Sequence, residues 1–226
     1  MRIYRVAGHD ITDPRDCSVY LLDTGELTLI DVGFGARIDA LASNIKKQGF
    51  DPKRVSTVIL THCHIDHIGG ADEFRFRYCS RLVMHELDAQ IVGRADQRLT
   101  AAFCFQKVLR SFPIDVTLTG EEGRLTVGSQ ELVWLHTPGH TSGSISVYAD
   151  VGKKRVLFAQ DMGAPLLEEF DCDPVAWRRS AEKLLTLNAD VLCDGHTGVY
   201  QPWDAVRKYI ESCLAANLAK YENPSG

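Results

Sequence analysis

The sequence lacks the features that would indicate export, membrane insertion or binding to nucleic acid. It contains no run of about 18 apolar residues, the length that a membrane-spanning helix needs. The N-terminal segment MRIYRVAGHD meets its first charge at Arg2 and has no apolar core of signal-peptide length. Lysine and arginine are scattered, and the net charge is −5, so no basic patch is offered to nucleic acid. We expect a soluble, cytoplasmic protein that binds neither membranes nor nucleic acids.

Paired cysteines are also lacking. The seven cysteines are an odd number, and none of them forms a CxxC pair with another. With no export signal, this favours reduced thiols over a disulfide framework. The chain has 226 residues and is 45% hydrophobic, which is enough to bury a large core. We therefore predict a single domain over residues 1–226. A homo-oligomer is compatible with this composition, which favours no particular oligomeric state.

Short apolar runs alternate with amphipathic stretches along the chain. The runs 19–23 and 27–31 flank a glycine turn and predict a β-hairpin. The run 55–60 is β-branched and predicts a buried strand, whereas residues 86–112 are predicted to form a helical lid. Further strands are predicted at 81–84, 124–127, 131–135, 144–148, 155–159 and 191–193, and further helices at 38–49, 174–187 and 203–221. Two successions of strands, each followed by helices, predict an α/β fold with four αββα layers.

The stretch THCHIDHIGG is crowded with polar groups and directly follows a predicted buried strand. Side chains at i and i+2 of an extended segment point to the same side, so His62 and His64 can bind one cation together. If the chain then turns into a helix, Asp66 and His67 point elsewhere and can bind a second cation. The two glycines that end the stretch allow close backbone packing beneath such a site.

Three further polar groups stand where predicted strands end. His140 lies in the turn TPGHTSGS, Asp161 ends VLFAQD, and His196 follows the strand in DVLCDGHTG. Loops at strand ends are where a scaffold usually mounts its functional groups. Imidazole and carboxylate ligands suit zinc, iron or manganese. Five histidines and two aspartates make seven ligands, enough for two cations that share a bridging carboxylate and a bridging hydroxide.

These motifs resemble, in order and approximate spacing, those of the metallo-β-lactamase superfamily, and the likeness runs from the first hairpin to His196. The resemblance implies an αββα sandwich with the site at one rim, between the sheets. It also implies that Asp31, at the end of a strand, orients a metal-binding histidine by accepting its hydrogen bond. The implied metal ligands are His62, His64 and His140 for the first ion, Asp66, His67 and His196 for the second, and Asp161 bridging both.

Two cations that share a carboxylate predict hydrolysis. We expect a bridging hydroxide to attack the carbonyl of a small thioester, ester or lactone, while the ions stabilise the oxyanion and the leaving group. Asp66 is the predicted catalytic residue, because it would orient this nucleophile. Zinc is expected at both positions, with iron or manganese as alternatives. The expected partner is a small-molecule substrate, and no other cofactor is predicted.

Several branches of the superfamily differ from this chain. The commonest β-lactamases are exported and carry cysteine in place of Asp161, and the flavin-linked diiron reductases carry glutamate in place of His64. The nucleases add basic or extended substrate-binding modules. Quorum-signal lactonases commonly have a tyrosine soon after the bridging aspartate, which residues 162–164 lack. Thioesterases similar to hydroxyacylglutathione hydrolase share all seven ligands, although the thirty residues after His196 leave room for one helix instead of a C-terminal helical domain.

Two other functions stay open at this point. One is a persulfide dioxygenase-like enzyme, in which one iron held by His62, His140 and Asp161 reacts with oxygen. The other is a non-catalytic domain that binds metal in a closed site. Metal analysis and assays of turnover separate these alternatives from a hydrolase.

The remaining histidines have simpler interpretations. His136 alternates with apolar residues and is predicted to be packed rather than a ligand, and His85 has no partner motif. His9 lies in a loop before the hairpin, a position that could border the site. Cys63 stands between two ligands, but its side chain should face the opposite way, into the core.

Overall fold

Two six-stranded sheets organise the part of the chain that the computed structural model describes, residues 1–159 and 161–222. The strands of the first sheet are β1 (Arg2–Ala7), β2 (Val19–Asp23), β3 (Leu27–Ile30), β4 (Val55–Ile59), β5 (Arg81–His85) and β6 (Val116–Leu118), in that spatial order. The pairs β1–β2 and β2–β3 are antiparallel, and β3 to β6 are parallel. The predicted hairpin is therefore present. Its second strand, β3, pairs with β4, the next strand of the parallel part of the sheet.

The second sheet is mostly antiparallel. Its strands are β7 (Glu122–Val127), β8 (Gln130–His136), β9 (Ile145–Val151), β10 (Lys154–Phe158), β11 (Val191–Cys193) and β12 (Val199–Tyr200), adjacent in sequence order. Within it, β10 and β11 are parallel, because the chain between them crosses over through a helix. Strands β1, β6 and β12 are absent from the sequence-based prediction.

The layering follows from the period-2 pattern of the strands. In β2, Tyr20 and Leu22 join the apolar cluster between the sheets, whereas Leu21 joins the cluster beneath the first helical layer. In the second sheet, Phe158 faces the first sheet and Leu157 faces the other helical layer. Because successive side chains point to opposite faces and both faces are apolar, each sheet must be covered on both sides. The predicted αββα sandwich is the result.

The helices form the outer layers. They are α1 (Ile38–Lys47), α2 (Ile65–Ile68), α3 (Ala71–Tyr78), α4 (Glu86–Gly93), α5 (Pro174–Thr186) and α6 (Trp203–Glu222). As predicted, Asp173 caps α5 by accepting hydrogen bonds from the backbone N–H groups of Val175 and Ala176 at 2.9 and 3.0 Å. Within the described residues, no helix has the length and apolarity needed to cross a membrane.

The helical prediction for residues 86–112 holds only for its first third. After α4 the chain contains one short 3-10 helix, Ala102–Phe105, and otherwise irregular turns. Ala95, Ala101 and Gln106 adopt left-handed φ values between 52° and 54°, which end a right-handed helix. Gln97 stabilises the irregular path, because its side-chain amide exchanges two hydrogen bonds, both 2.9 Å long, with the backbone of Leu109. The alanines and aromatics of this segment therefore cover the core without forming a long helix.

The apolar cluster between the sheets is where we expect truncation of a side chain to destabilise the fold most. Phe158 is fully buried there, with its ring centroid 5.6 Å from that of Tyr20 on the facing sheet. Phe158→Ala should lower the free energy of unfolding by about 3–5 kcal/mol, measured by chemical denaturation, because it leaves a cavity. Phe76→Ala is the matched control, since this ring is 85% exposed and its loss should change the free energy by less than about 0.5 kcal/mol. Equal effects of the two substitutions would contradict this view of the core.

Candidate metal centre

The seven predicted ligands converge at one rim of the sandwich, where strands of both sheets end. The loop after β4 carries His62 and His64, the helix α2 that follows carries Asp66 and His67, and the loop between β8 and β9 carries His140. Asp161 and His196 follow β10 and β11, whose parallel pairing brings their carboxyl ends together. As predicted, the chain turns into α2 at Ile65, directly after His64. This turn separates the side chains of the first two histidines from those of Asp66 and His67.

The first cluster consists of three imidazoles and one carboxylate, and all four side chains are buried. The Nε2 atoms of His62 and His140 lie 3.6 and 3.3 Å from Oδ2 of Asp161. The ring of His64 stands edge-on to that of His140, with 4.5 Å between centroids. One donor atom from each residue lies within 4.8 Å of every other. The ligands assigned to the first ion by resemblance therefore surround one small volume.

The second cluster shares the same carboxylate through its other oxygen. Oδ1 of Asp161 lies 3.0 Å from Nε2 of His67 and 3.2 Å from Nε2 of His196. Oδ2 of Asp66 completes the group, 3.2 Å from Nε2 of His196 and 3.6 Å from Nε2 of His67. Asp161 thus faces a different set of imidazoles with each of its oxygens. Its backbone adopts a left-handed φ of 59°, a conformation that is costly for a residue other than glycine and recurs at functional sites.

These residues fit divalent cations. Zinc–nitrogen bonds of 2.0–2.1 Å in a tetrahedron place neighbouring donor atoms about 3.4 Å apart, which the measured separations resemble. Five buried atoms lack any hydrogen-bond partner among the described residues: His62 Nε2, His64 Nε2 and both ring nitrogens of His140 in the first cluster, and Asp161 Oδ1, which faces the second. An unpaired buried polar atom is destabilising. A bound cation would give these atoms the partner that the protein itself does not supply.

Electrostatics around Asp161 are consistent with this fit. Burial lowers the pKa of His64 to about 3, which keeps its imidazole neutral and able to bind a cation. Burial also opposes protonation of His140 and His196, but the adjacent Asp161 carboxylate raises their pKa values to about 9 and about 10. The raised pKa values favour protons on these two rings, which would balance the carboxylates when no cation is bound. Bound cations would displace those protons and take over that role.

Asp31 orients one ligand of the second cluster. Its Oδ2 lies 2.8 Å from Nδ1 of His67, and its oxygens also accept hydrogen bonds of 2.8 Å from the backbone N–H and the hydroxyl of Thr61. A carboxylate on Nδ1 holds the proton there and leaves Nε2 free to bind a cation. Cys17 also approaches this pair, but His67 Nδ1 is already bonded to Asp31, so this trio has a structural role. The geometry matches the role that the resemblance implies for Asp31.

Asp88 is a residue of the site that the sequence-based reasoning missed. It is fully buried on α4, and its carboxylate accepts hydrogen bonds of 2.7 Å from the backbone N–H groups of Cys63 and Gly143 and from the hydroxyl of Thr141. It therefore ties the loop with the first two histidines to the loop with His140. The available signal was an aspartate on the same helix face as two buried apolar residues, Ile91 and Val92.

A similar anchor holds the last ligand. Oδ1 of Asp194 accepts hydrogen bonds of 2.9 Å from the backbone N–H groups of His196 and Thr197, and Tyr209 on α6 donates its hydroxyl to Oδ2 at 2.8 Å. Sequence reasoning did not single out Tyr209. His196 is also the most exposed ligand, with 39% of its side chain accessible against 12% for Asp66. The centre therefore opens to solvent on the side of His196.

The glycines after the ligand motif lie where two backbone segments cross. A Cβ atom added to Gly69 would lie 2.3 Å from the carbonyl oxygen of Phe34, and one added to Gly35 would lie 2.5 Å from that of Gly69. Lys107 also donates hydrogen bonds to the carbonyls of Phe34 and Gly69, the latter at 3.0 Å. This agrees with the close packing that the sequence predicted beneath the site.

Three histidines lie outside the two clusters. The rings of His85 and His136 stack on each other at 4.1 Å, and His136 Nε2 lies 2.9 Å from the carbonyl oxygen of Ser142, so His136 is packed as predicted. His9 is half exposed beside Asp10 in its loop.

Cys63, between two of the predicted ligands, is buried in the core beneath the first helical layer, as predicted.

Curated relatives share part of the chain. A protein named probable metallo-hydrolase YqgX from Bacillus subtilis is 31% identical over 60% of this chain and 61% of its own length. A hydroxyacylglutathione hydrolase from Rhodopseudomonas palustris is 34% identical over 57% of this chain and 43% of its own length. The chain thus spans about two fifths to three fifths of the length of these two relatives.

Solved structures and a family model extend the likeness to the whole fold. A motif mutant of a metallo-beta-lactamase from Cronobacter sakazakii superposes with a TM-score of 0.82 over 98% of this chain and 94% of its own, at 19% sequence identity. At that identity the likeness concerns the fold alone. The model of the metallo-beta-lactamase superfamily matches residues 12–196, which include all seven predicted ligands. The chain therefore belongs to the metallo-beta-lactamase superfamily, whose members are mostly metallo-hydrolases.

Proposed function

We propose that the chain is a hydrolase that uses two divalent ions to cleave a small thioester, ester or lactone. The observation that carries this proposal is the orientation of Asp161, whose two oxygens face two separate sets of histidines at 3.0–3.6 Å. A single-ion site has no need of the second set, formed by Asp66, His67 and His196. Two ions that share a carboxylate are typical of hydrolytic centres.

In the proposed reaction, the ions and the side chains have different roles. Divalent ions bound here would acidify a water molecule and polarise a carbonyl oxygen. Asp66 lies at the edge of the second cluster, where its carboxylate can accept a hydrogen bond from that water and direct its lone pair at the substrate. Asp31 and Asp88 keep the imidazoles in place, so that little reorganisation accompanies the reaction. The substrate would enter beside His196, the most exposed ligand.

We propose zinc as the resident ion, with which the donor atoms are compatible. All proposed ligands are imidazole nitrogens or carboxylate oxygens, which zinc binds in hydrolytic centres. Iron and manganese accept the same donors, so the elemental content of the purified protein decides among them.

The substrate class draws on the relatives. One of them is named a hydroxyacylglutathione hydrolase, that is, an enzyme for a thioester. The matched region covers 43% of that protein, so its whole substrate does not transfer to this chain. We propose a small thioester first, with esters and lactones as related acyl substrates.

Substitution of single predicted ligands should show which residues bind each of the two ions. His196→Ala should leave about one equivalent of bound metal, because the first cluster stays complete, whereas Asp161→Ala should reduce the content below one equivalent. Elemental analysis of protein purified without added metal measures both. His9→Ala is the control, because His9 is half exposed and lies outside both clusters, and it should keep the wild-type content. Equal metal content in all three variants would contradict the ligand assignment.

Asp88→Asn should weaken the first ion selectively. The amide presents an NH2 group toward donors that now meet a carboxylate oxygen, which loosens the loops holding His64 and His140. Loss of such a supporting hydrogen bond typically lowers metal affinity 10–100-fold. Titration with Co²⁺, followed by its visible spectrum, should show a weakened first ion and an unchanged second ion. Asp72→Asn on the exposed side of α3 is the matched control, and equal affinities in both variants would exclude this role for Asp88.

The hydrolase proposal is tested on one preparation of the wild-type protein. It should contain close to two equivalents of divalent metal and should hydrolyse at least one of a panel of acyl thioesters, esters and lactones. Removal of the metal with a chelator should abolish this activity, and zinc should restore it. A single equivalent of iron together with oxygen uptake on glutathione persulfide would instead support a dioxygenase. Full metal loading without any turnover would support a non-catalytic domain.

A further inference from the structure

A cavity of about 170 Å³ lies beside the metal centre, between α4 and the short 3-10 helix Glu168–Phe170. It is formed by residues 87–99, by the turn after His140 and by the chain around Phe170. Its walls combine apolar and polar side chains, namely Leu87, Ile91, Leu99 and Phe170 with Gln90, Arg94, Thr141, Ser142 and Asp171.

The outer wall of the cavity is fixed in place. Arg98 donates two hydrogen bonds to the carboxylate of Asp171 at 2.8 and 2.7 Å and a third to the carbonyl oxygen of Glu169 at 2.7 Å. A bidentate guanidinium–carboxylate pair restricts orientation as well as distance. Phe103 supports the same wall, with its ring centroid 6.2 Å from that of Phe170. The cavity is therefore a preformed feature of the fold.

The cavity and the metal centre are adjacent. The ring of Phe170 stands edge-on to that of His64, with 5.6 Å between centroids, and also lines the cavity. Thr141 lines the cavity and directly follows His140 in the chain. A substrate whose reacting carbonyl lies at the first cluster can therefore extend its acyl substituent past Phe170 into the cavity.

Size and charge define the group that fits. An apolar cavity of about 150 Å³ accommodates a benzene molecule, so this one suits roughly six to eight heavy atoms. Both charged residues at its rim are already paired within the chain, Arg94 with Asp96 at 3.3 Å and Asp171 with Arg98. The apolar part of this mixed lining then favours an uncharged substituent, because burial of apolar surface against it stabilises the complex.

We propose that this cavity binds the acyl group of the substrate and selects uncharged, apolar acyl chains of about six heavy atoms. This inference rests on the proposed hydrolase function. It makes Leu87, Ile91 and Phe170 specificity-determining residues, none of which belongs to the metal-binding clusters. Each methylene buried on binding favours the complex by about fourfold. The specificity constant should therefore rise with chain length until the cavity is full.

The first experiment uses a series of N-acetylcysteamine thioesters from acetyl to decanoyl. For the wild-type protein, kcat/KM should rise by about fourfold per methylene up to hexanoyl or octanoyl and then level off or fall. Leu87→Trp fills the cavity from a side chain that is 37% exposed, so the fold should tolerate it. In this variant, kcat/KM for the longer acyl chains should fall relative to that for acetyl, so that most of the chain-length dependence is lost. Val175→Trp is the matched control on α5, at a side chain that is 62% exposed and away from the cavity.

A second measurement does not depend on turnover. Hexanamide, an uncharged mimic of the acyl group, should shift the NMR signals of the Ile91 methyl groups in the wild-type protein and leave them unchanged in Leu87→Trp. Acetamide should have no effect at the same concentration. This readout applies equally if the protein hydrolyses none of the thioesters.

The two measurements distinguish failure of this inference from failure of the hydrolase proposal. Hydrolysis without chain-length dependence, or with a dependence that Leu87→Trp leaves intact, overturns the acyl cavity and leaves the hydrolase standing. A shift of the Ile91 signals without hydrolysis of any thioester, ester or lactone of the panel overturns the hydrolase and supports an apolar binding site in the cavity. Absence of the shift in the wild-type protein overturns the cavity assignment in either case.

Discussion

The structure depends on one constraint, the need to stabilise a dense group of buried polar side chains at the rim where the two sheets meet. Imidazoles and carboxylates removed from water are destabilising unless each finds a partner. The Asp161 carboxylate meets part of this need, because its negative charge lies between two sets of histidines, and several buried donor atoms still lack a hydrogen-bond partner in the described residues. It can do so because β10 delivers it to the rim next to β11, while the first sheet delivers its ligands from the opposite side. The left-handed backbone at Asp161 is the local strain that this position imposes.

Three further carboxylates surround the centre without belonging to the cation-binding set. Asp31 fixes the ring of His67, Asp88 joins the loops that carry His64 and His140, and Asp194 holds the backbone of His196. Each accepts at least two hydrogen bonds, so each loop keeps its shape although it lacks regular secondary structure. Loops are ordinarily the most variable parts of a fold. Here a buried carboxylate takes the place of the backbone hydrogen bonds that would hold a strand, and it fixes the path of each loop.

Local signals in the sequence were sufficient for nine of the twelve strands in the described residues, for the hairpin and for the seven convergent side chains. Residues at strand ends can be recognised from short-range patterns, and parallel strands place those ends together. The path of residues 94–112 could not be recognised in this way, because it depends on left-handed residues and on the contacts of Gln97 with Leu109, twelve residues away. Asp88 was missed for a related reason. Its three donors come from segments 25 to 55 residues distant, and no local pattern encodes such a meeting.

The glycines that close the ligand motif have a meaning that their usual association with flexibility obscures. Gly69 and Gly70 adopt φ values of −62° and −98°, which almost any residue can adopt. Conformational freedom is therefore not what these positions require. They require the absence of a side chain, because the backbone around Phe34 passes so close that a single methyl group would separate the two segments. Asp66 and His67 lie within one helical turn of this crossing. The size of the residue at position 69 therefore determines how deeply the second cluster is buried.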